Sequence, residues 1–339
     1  MRDIVDGRWQ EPAGDADDEV GKGLWALPGL ADAHAHLATR ELNTEPGNLS
    51  EAIERAKRSL RAGVTLILDK GWRDDTAIRV LEVVDPGDRP EIEGAGTIIH
   101  TADGYYRGFG HVIDPEDVGQ AVSEEAGAGA GWVKLIGDWP RSGLGAMPNF
   151  DADQLAEAVA AAETAGVRVA IHTMAPDVPS MAVAAGVHSI EHGLFLTESA
   201  LDALGGREGI WVPTLLRNEA TLAQLGADSS GGRLFVEGLG RVRKLLPLAV
   251  EAGVHVLAGT DLIGSPADVA AEAIRLSEYG LAGAAVVAAV STAAFEATGR
   301  DATFGPGSIA DAVLFEQNPT ETLGVLAHPT HVIRRGRVI

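Results

Sequence analysis

The sequence predicts a (β/α)8 barrel, an α/β fold, with a small β sandwich formed by its two end segments. Three observations carry this. Ala-Gly-Val recurs at Ala62–Val64, Ala165–Val167, Ala185–Val187 and Ala252–Val254. Each copy follows a helix-like stretch and precedes a β-like run, as expected when a glycine ends a helix in the left-handed conformation. Short apolar runs, eight in all, alternate with amphipathic stretches along the chain, the pattern of a parallel sheet covered by helices. The length, 339 residues, slightly exceeds what such a barrel needs.

The expected barrel strands are Leu27–Ala33, Val64–Leu68, Ile92–Ile99, Trp132–Ile136, Val167–Ile171, Val187–Ile190, Ile210–Pro213 and His255–Ala258. Helices are expected over Glu51–Ala62, Asp151–Ala165 with Asp151 as N-cap, Val236–Ala252, Pro266–Tyr279 and Gly283–Thr298, from their apolar periodicity and capping residues. The excess length lies at the ends. Asp3–Trp9, Lys22–Ala26, Ala310–Phe315 and His331–Ile339 read as short strands. This divides the chain into a sandwich unit of residues 1–26 and 305–339 and a barrel of residues 27–304.

Composition narrows the function. Lys+Arg 27 against Asp+Glu 49 leaves a net charge of −22, which should repel phosphate backbones and anionic membranes, so no nucleic-acid or membrane partner is expected. The chain has no cysteine, which excludes disulfides, thiolate metal sites and a cysteine nucleophile. No apolar stretch approaches the ~18 residues of a membrane span, and Met1–Asp6 does not open a signal peptide. A cytoplasmic location is expected.

The densest chemical signal is Leu27-Pro28-Gly29-Leu30-Ala31-Asp32-Ala33-His34-Ala35-His36. On a strand, residues i and i+2 share a face, so both imidazoles can meet one metal. Four further apolar runs carry a polar residue at or near their carboxyl ends: Lys134, His172, His192 and Asp261. Barrel enzymes build their active sites at that end of the strands. Singly, each has a plain structural role: a paired lysine, satisfied core histidines, a helix N-cap. Six together at strand ends point to a site.

These residues resemble the amidohydrolase superfamily, and within it the imidazolonepropionase-like and prolidase-like branch. The resemblance rests on Pro-Gly-Leu-x-Asp-x-His-x-His, Lys134, His172, Ile190-Glu191-His192-Gly193, Gly259-Thr260-Asp261, Gly307-Ser308-Ile309-Ala310-Asp311 and the final Val332–Ile339 segment. It covers nearly the whole chain. It implies a metal-dependent hydrolase that cleaves the C–N bond of a small-molecule amide: an N-acyl amino acid, a dipeptide or a cyclic amide. His34 and His36 would ligate the more buried of two divalent metal ions, and His172 and His192 the second. Lys134 would be carboxylated by CO2 to a carbamate that bridges them. Asp261 would ligate the first metal and take a proton from the bridging hydroxide. Zinc suits this donor set, and manganese, iron or cobalt also fit. A homo-oligomer is a further family-based expectation.

Two departures matter. The segment before His34 is short, so the sandwich should be reduced. Where relatives often carry a Gly-Gly-His turn, this chain reads Thr101 to His111. Tyr105 or His111 is a candidate contact for the scissile carbonyl, and Arg107 and Arg217 are candidates for an anionic substrate group. His100, His188, His255, His328 and His331 are assigned structural roles. Three alternatives remain open here: a mononuclear amidohydrolase or deaminase with unmodified Lys134, a Schiff-base lyase using Lys134, and a non-catalytic barrel kept for binding.

Overall fold

A computed structural model describes residues 2–12, 20–39 and 48–339. Its barrel strands are β1 (Leu30–Ala35), β2 (Val64–Asp69), β3 (Glu91–Gly94, resuming at Ile99–Thr101), β4 (Trp132–Ile136), β5 (Arg168–Thr173), β6 (Ser189–His192), β7 (Ile210–Val212) and β8 (His255–Val256). Every named neighbour pair is parallel, from β1 with β2 through β7 with β8. Closure runs through backbone bonds: Ala33 N donates to Ala258 O at 2.8 Å, and Asp261 N donates to His34 O at 2.8 Å. The fold is the predicted (β/α)8 barrel.

The recurring tripeptide behaves as its sequence implies. Gly63, Gly166, Gly186 and Gly253 have φ of 90°, 70°, 94° and 86°, a region where an L side chain would be strained. Each ends a helical segment so that the chain turns straight into a barrel strand. The interior is filled by Ala31, Ala33, Leu66, Leu68, Trp132, Ala170, Ile210 and Val212. Small residues on β1 face larger ones on its neighbours, which lets the layers interlock. The larger apolar cluster lies between the strands and the helices.

Three expectations shift. The first barrel strand is Leu30–Ala35 rather than Leu27–Ala33, because Trp25–Leu27 leaves to pair with Ala312–Phe315. The expected strand Ile92–Ile99 breaks around Ala95–Ile98, where the turn after β2 inserts. There Trp72 N donates to Gly96 O and Ile98 N to Trp72 O. A Cβ on Gly71 would lie 2.5 Å from Gly96 O, so only glycine permits that approach. The expected helix Gly283–Thr298 splits into Gly283–Ala289 and Thr292–Ala297. The break frees carbonyls for the seam: Ala289 O and Val290 O accept from Ala258 N and Ala31 N.

The end segments do associate. Strands Trp25–Leu27, Ala312–Phe315, His331–Arg334 and Arg337–Val338 form one antiparallel sheet. A separate hairpin, Asp3–Val5 with Arg8–Gln10, joins the C-terminal segment through Trp9 N to Ser308 O and Ala310 N to Gly7 O. Residues 13–19 of the expected terminal unit lie outside the described residues. Among the described residues, no helix is long and apolar enough to cross a membrane.

Candidate metal centre

Six polar side chains converge at the carboxyl end of the barrel. His34 lies near the end of β1, with His36 just past it. Lys134 lies within β4, His172 within β5, His192 ends β6, and Asp261 follows β8. All six are buried, at 2–7% exposure. Such burial of potential charge is costly unless the groups pair, neutralise or bind a cation.

The strand geometry is specialised here. Register shifts in β1 fall between Asp32 and Ala35. Asp32 accepts from His34 N at 3.0 Å and from Thr260 N and Oγ1 at 3.1 and 2.6 Å. It therefore ties the β1 end to the β8 end, where His34 and Asp261 are carried. Gly259 makes the approach possible, since a Cβ there would lie 2.5 Å from the His34 Cβ. His192 and Asp261 have φ of 64° and 40°. A non-glycine residue pays conformational energy there, of order 1–3 kcal/mol.

The imidazoles have assignable tautomers. His34 Nδ1 faces Glu191 Oε2 at 2.6 Å, outside hydrogen-bond geometry, and the carboxylate charge there favours the proton on Nδ1. His36 Nδ1 lies 2.7 Å from Gly71 O, which can only accept. Both rings thus turn an unprotonated Nε2 inward, 3.6 and 3.5 Å from the same Asp261 Oδ1. Three electron-pair donors, all within 4.8 Å of one another, converge on one point. Such a cradle is unfavourable without a cation between them. His192 Nδ1 lies 2.6 Å from Thr214 Oγ1, whose own hydroxyl donates to Pro213 O. Lys134 Nζ and His172 Nε2 are buried with no hydrogen-bond partner among the described residues.

Burial dominates the electrostatics. It pushes His34 down to about 4 and His172 to about 3, and holds His192 well below the usual imidazole range. These rings are neutral at pH 7, as metal ligands must be. Burial also lowers Lys134 to about 8, which makes its free amine accessible near neutral pH. Burial alone would raise Asp261; protonated His34, His36 and His192 would pull it well below the usual carboxylate range, and with those rings neutral the Arg217 guanidinium is the charge that favours its ionised form. The site opens into a cavity of about 210 Å³ that all six residues line.

Residues 25–339 match the family model described as the amidohydrolase family. The chain belongs to the amidohydrolase family. An uncharacterized protein of Mycobacterium tuberculosis is 36% identical over 353 residues, covering 98% of this chain and 90% of that protein. Two crystal structures are similar in fold. One is a Xaa-Pro dipeptidase with bound methionine in the active site, at 23% identity and TM-score 0.79, covering 94% of this chain and 87% of that one. The other is a prolidase complexed with N-methylphosphonate-L-proline, at 24% identity and TM-score 0.81, covering 99% and 93%. This amidohydrolase is thus a hydrolase of carbon–nitrogen bonds, in a family that generally binds metal ions.

The remaining candidates divide. Tyr105 and Arg217 line the cavity of the amidohydrolase. Arg107 does not: its side chain is 96% exposed and faces Asp103 at 4.0 Å. His111 also lies outside the cavity, with Nδ1 3.1 Å from Glu125 Oε1. Arg107 lies in the turn after Thr101, and His111 begins a short strand, His111–Ile113, that pairs in parallel with Ile99–Thr101. Buried His100 has its two ring nitrogens against Thr101 O and Phe109 O, in keeping with a structural role. Sequence reasoning passed over Tyr106, Trp139 and Phe235, which line the cavity. It also passed over Lys70, a fully buried lysine whose Nζ lies 3.1 Å from Glu191 Oε1. Lys70 follows an apolar strand and carried the same signal that singled out Lys134.

Proposed function

We propose that the protein hydrolyses the C–N bond of a small amide, such as an N-acyl amino acid, a dipeptide or a cyclic amide, with two divalent metal ions. The observation that carries this is the cradle of His34, His36 and Asp261, beside two buried groups, Lys134 Nζ and His172 Nε2, that have no hydrogen-bond partner among the described residues. His34, His36 and Asp261 would hold one ion, and His172 and His192 the other. Lys134 would bridge as a carbamate, formed when its neutral amine bonds to the CO2 carbon and loses a proton. When bound, the metal ions supply Lewis acidity toward a carbonyl oxygen and lower the pKa of water.

The chain's own groups do the rest. Asp261, ionised at neutral pH, accepts a proton at its carboxylate and delivers it to the leaving nitrogen. Burial pushes the Tyr105 phenol up, so it stays protonated and can donate to the substrate carbonyl. Arg217 makes no ion pair among the described residues and lines the same cavity, so its guanidinium is available to a substrate carboxylate. The cavity is smaller than the roughly 300–1,000 Å³ of drug-sized sites, which favours a substrate of one or two residues.

A second reading has one observation behind it. The compact three-residue cluster contains only His34, His36 and Asp261, and it would suit a single ion with Lys134 unmodified. Elemental analysis of protein purified without chelator, beside Lys134→Ala, separates the readings. About two metals per chain, falling sharply in the variant, is the expected result. About one, unchanged in the variant, selects the mononuclear form. None, even after reconstitution with zinc or manganese and bicarbonate, overturns the proposal and returns Lys134 to Schiff-base chemistry.

A further inference from the structure

The cavity has one wall that metal chemistry does not need. Tyr105, Tyr106 and Trp139 line it together. Their rings meet edge to face, with centroids 4.7 Å apart for Tyr105–Trp139, 4.8 Å for Tyr106–Trp139 and 4.9 Å for Tyr105–Tyr106. The chain has three tyrosines in all, so two of them are spent here. All three rings are only half-buried. His100 and Phe109 pack on Tyr105 from behind, and Phe109 also on Tyr106, while all three rings still reach the cavity, and a partly exposed aromatic cluster lining a cleft is the kind of surface that takes a ligand.

The wall is held rigidly. Trp139 sits on a hairpin, Asp138–Arg141 with Gly145–Pro148, inserted directly after β4. Asp138 Oδ2 accepts from Met174 N at 2.8 Å, which pins the hairpin to the end of β5. Buried Asn149 donates to Ile136 O at 2.8 Å and to Gly104 O at 2.9 Å, and it accepts from Thr101 Oγ1 and Arg141. One amide therefore joins β4, the hairpin and the loop that carries both tyrosines. The Trp139 ring centroid lies 5.7 Å from that of His172, so the wall stands beside one of the histidines of the polar cluster.

We infer that Trp139, Tyr105 and Tyr106 form a subsite for an aromatic ring of the substrate, next to the bond that is cleaved. The inference rests on the hydrolytic reading above and narrows it: the substrate is a small amide bearing an aromatic group, with its carboxylate toward Arg217. Trp139 is then a specificity-determining residue, acting through the substrate's ring.

The test separates binding from chemistry. The probes are 3-phenylpropanoate and propanoate, which share a carboxylate and contain no C–N bond. Calorimetric titration of the metal-loaded protein should show tighter binding of the aromatic probe. Trp139→Ala should weaken 3-phenylpropanoate about tenfold and propanoate less than about twofold. Trp139→Phe should restore most of the difference. Tyr106→Leu gives a second, independent loss should Trp139→Ala fail to fold. Equal affinities in the parent protein, or equal losses for both probes in a folded variant, overturn the subsite. Hydrolysis of N-benzoylglycine and N-acetylglycine is measured in parallel. Selective binding in a protein that cleaves neither these nor any other amide refutes the hydrolytic reading and leaves the subsite standing. Cleavage of both at the same rate, with no binding preference, refutes the subsite and leaves the hydrolase standing.

Discussion

Glu191→Gln tests how the fold supports the metal cradle. Glu191 is fully buried and its carboxylate serves three partners. Oε2 lies 2.6 Å from His34 Nδ1, Oε1 lies 3.1 Å from Lys70 Nζ, and Oε1 accepts from Ser189 Oγ at 2.6 Å. Burial opposes its charge, but Lys70, His34 and Lys134 together hold it well below the usual carboxylate range. Glutamine keeps the shape and removes the charge. It leaves Lys70 buried opposite a neutral amide, and breaking a buried pair from one side costs about 3–5 kcal/mol. It also removes the anion that fixes the His34 tautomer. Losing such a support costs about 10–100-fold in metal affinity, or about 1.4–2.8 kcal/mol. Urea unfolding and competitive zinc titration of the metal-free protein read the two effects separately. The double variant Glu191→Gln with Lys70→Met removes both charges. It should regain much of the stability and none of the metal affinity. A single variant with unchanged stability and zinc affinity within twofold of the parent would refute this reasoning, and so would a double variant that recovers both.

Three further outcomes follow from the same geometry. Gly259→Ala places a Cβ 2.7 Å from Val212 Cγ1 and 2.9 Å from His34 N; overpacking should cost about 1–3 kcal/mol in urea unfolding, with metal content falling alongside. Arg217→Ala should raise KM about 10–100-fold for a carboxylate-bearing substrate, as a lost charge-assisted hydrogen bond implies, whereas exposed Arg107→Ala should change kcat/KM less than about twofold. Glu272 concerns pH. It is fully buried, it accepts from Leu215 N and Leu216 N at 2.6 and 3.0 Å, and burial raises it from 4.5 to about 8. The folded state then binds the proton more tightly than the unfolded chain, so stability should fall as pH rises from about 4.5 to about 8. Glu272→Gln should flatten that slope in pH-dependent melting; an unchanged slope would show that Glu272 titrates normally.

Much of the centre was legible in the residues because its signals are local. A polar side chain within or just after an apolar run stands out against its neighbours, and His34, His36, Lys134, His172, His192 and Asp261 all do so. The Ala-Gly-Val repeat was equally legible, since a glycine between helix and strand has one backbone conformation to serve. The strand breaks were not. The gap in β3 depends on Gly71 meeting Gly96 across the sheet, and the split near Ser291 depends on carbonyls needed at the barrel seam. Both are settled by partners distant in sequence.

The sequence by itself determined the barrel, the polar strand ends and the exclusion of thiol chemistry. Tertiary structure alone decided which loop residues reach the site. Tyr105 and Arg107 lie two residues apart, yet one lines the cavity and the other is 96% exposed. Trp139 carries no signal of its own in the sequence; Asp138 and Asn149 pin its hairpin beside His172. The physical reason is reach. Period and propensity act over a few residues, while a loop side chain is aimed by hydrogen bonds and packing to segments far along the chain.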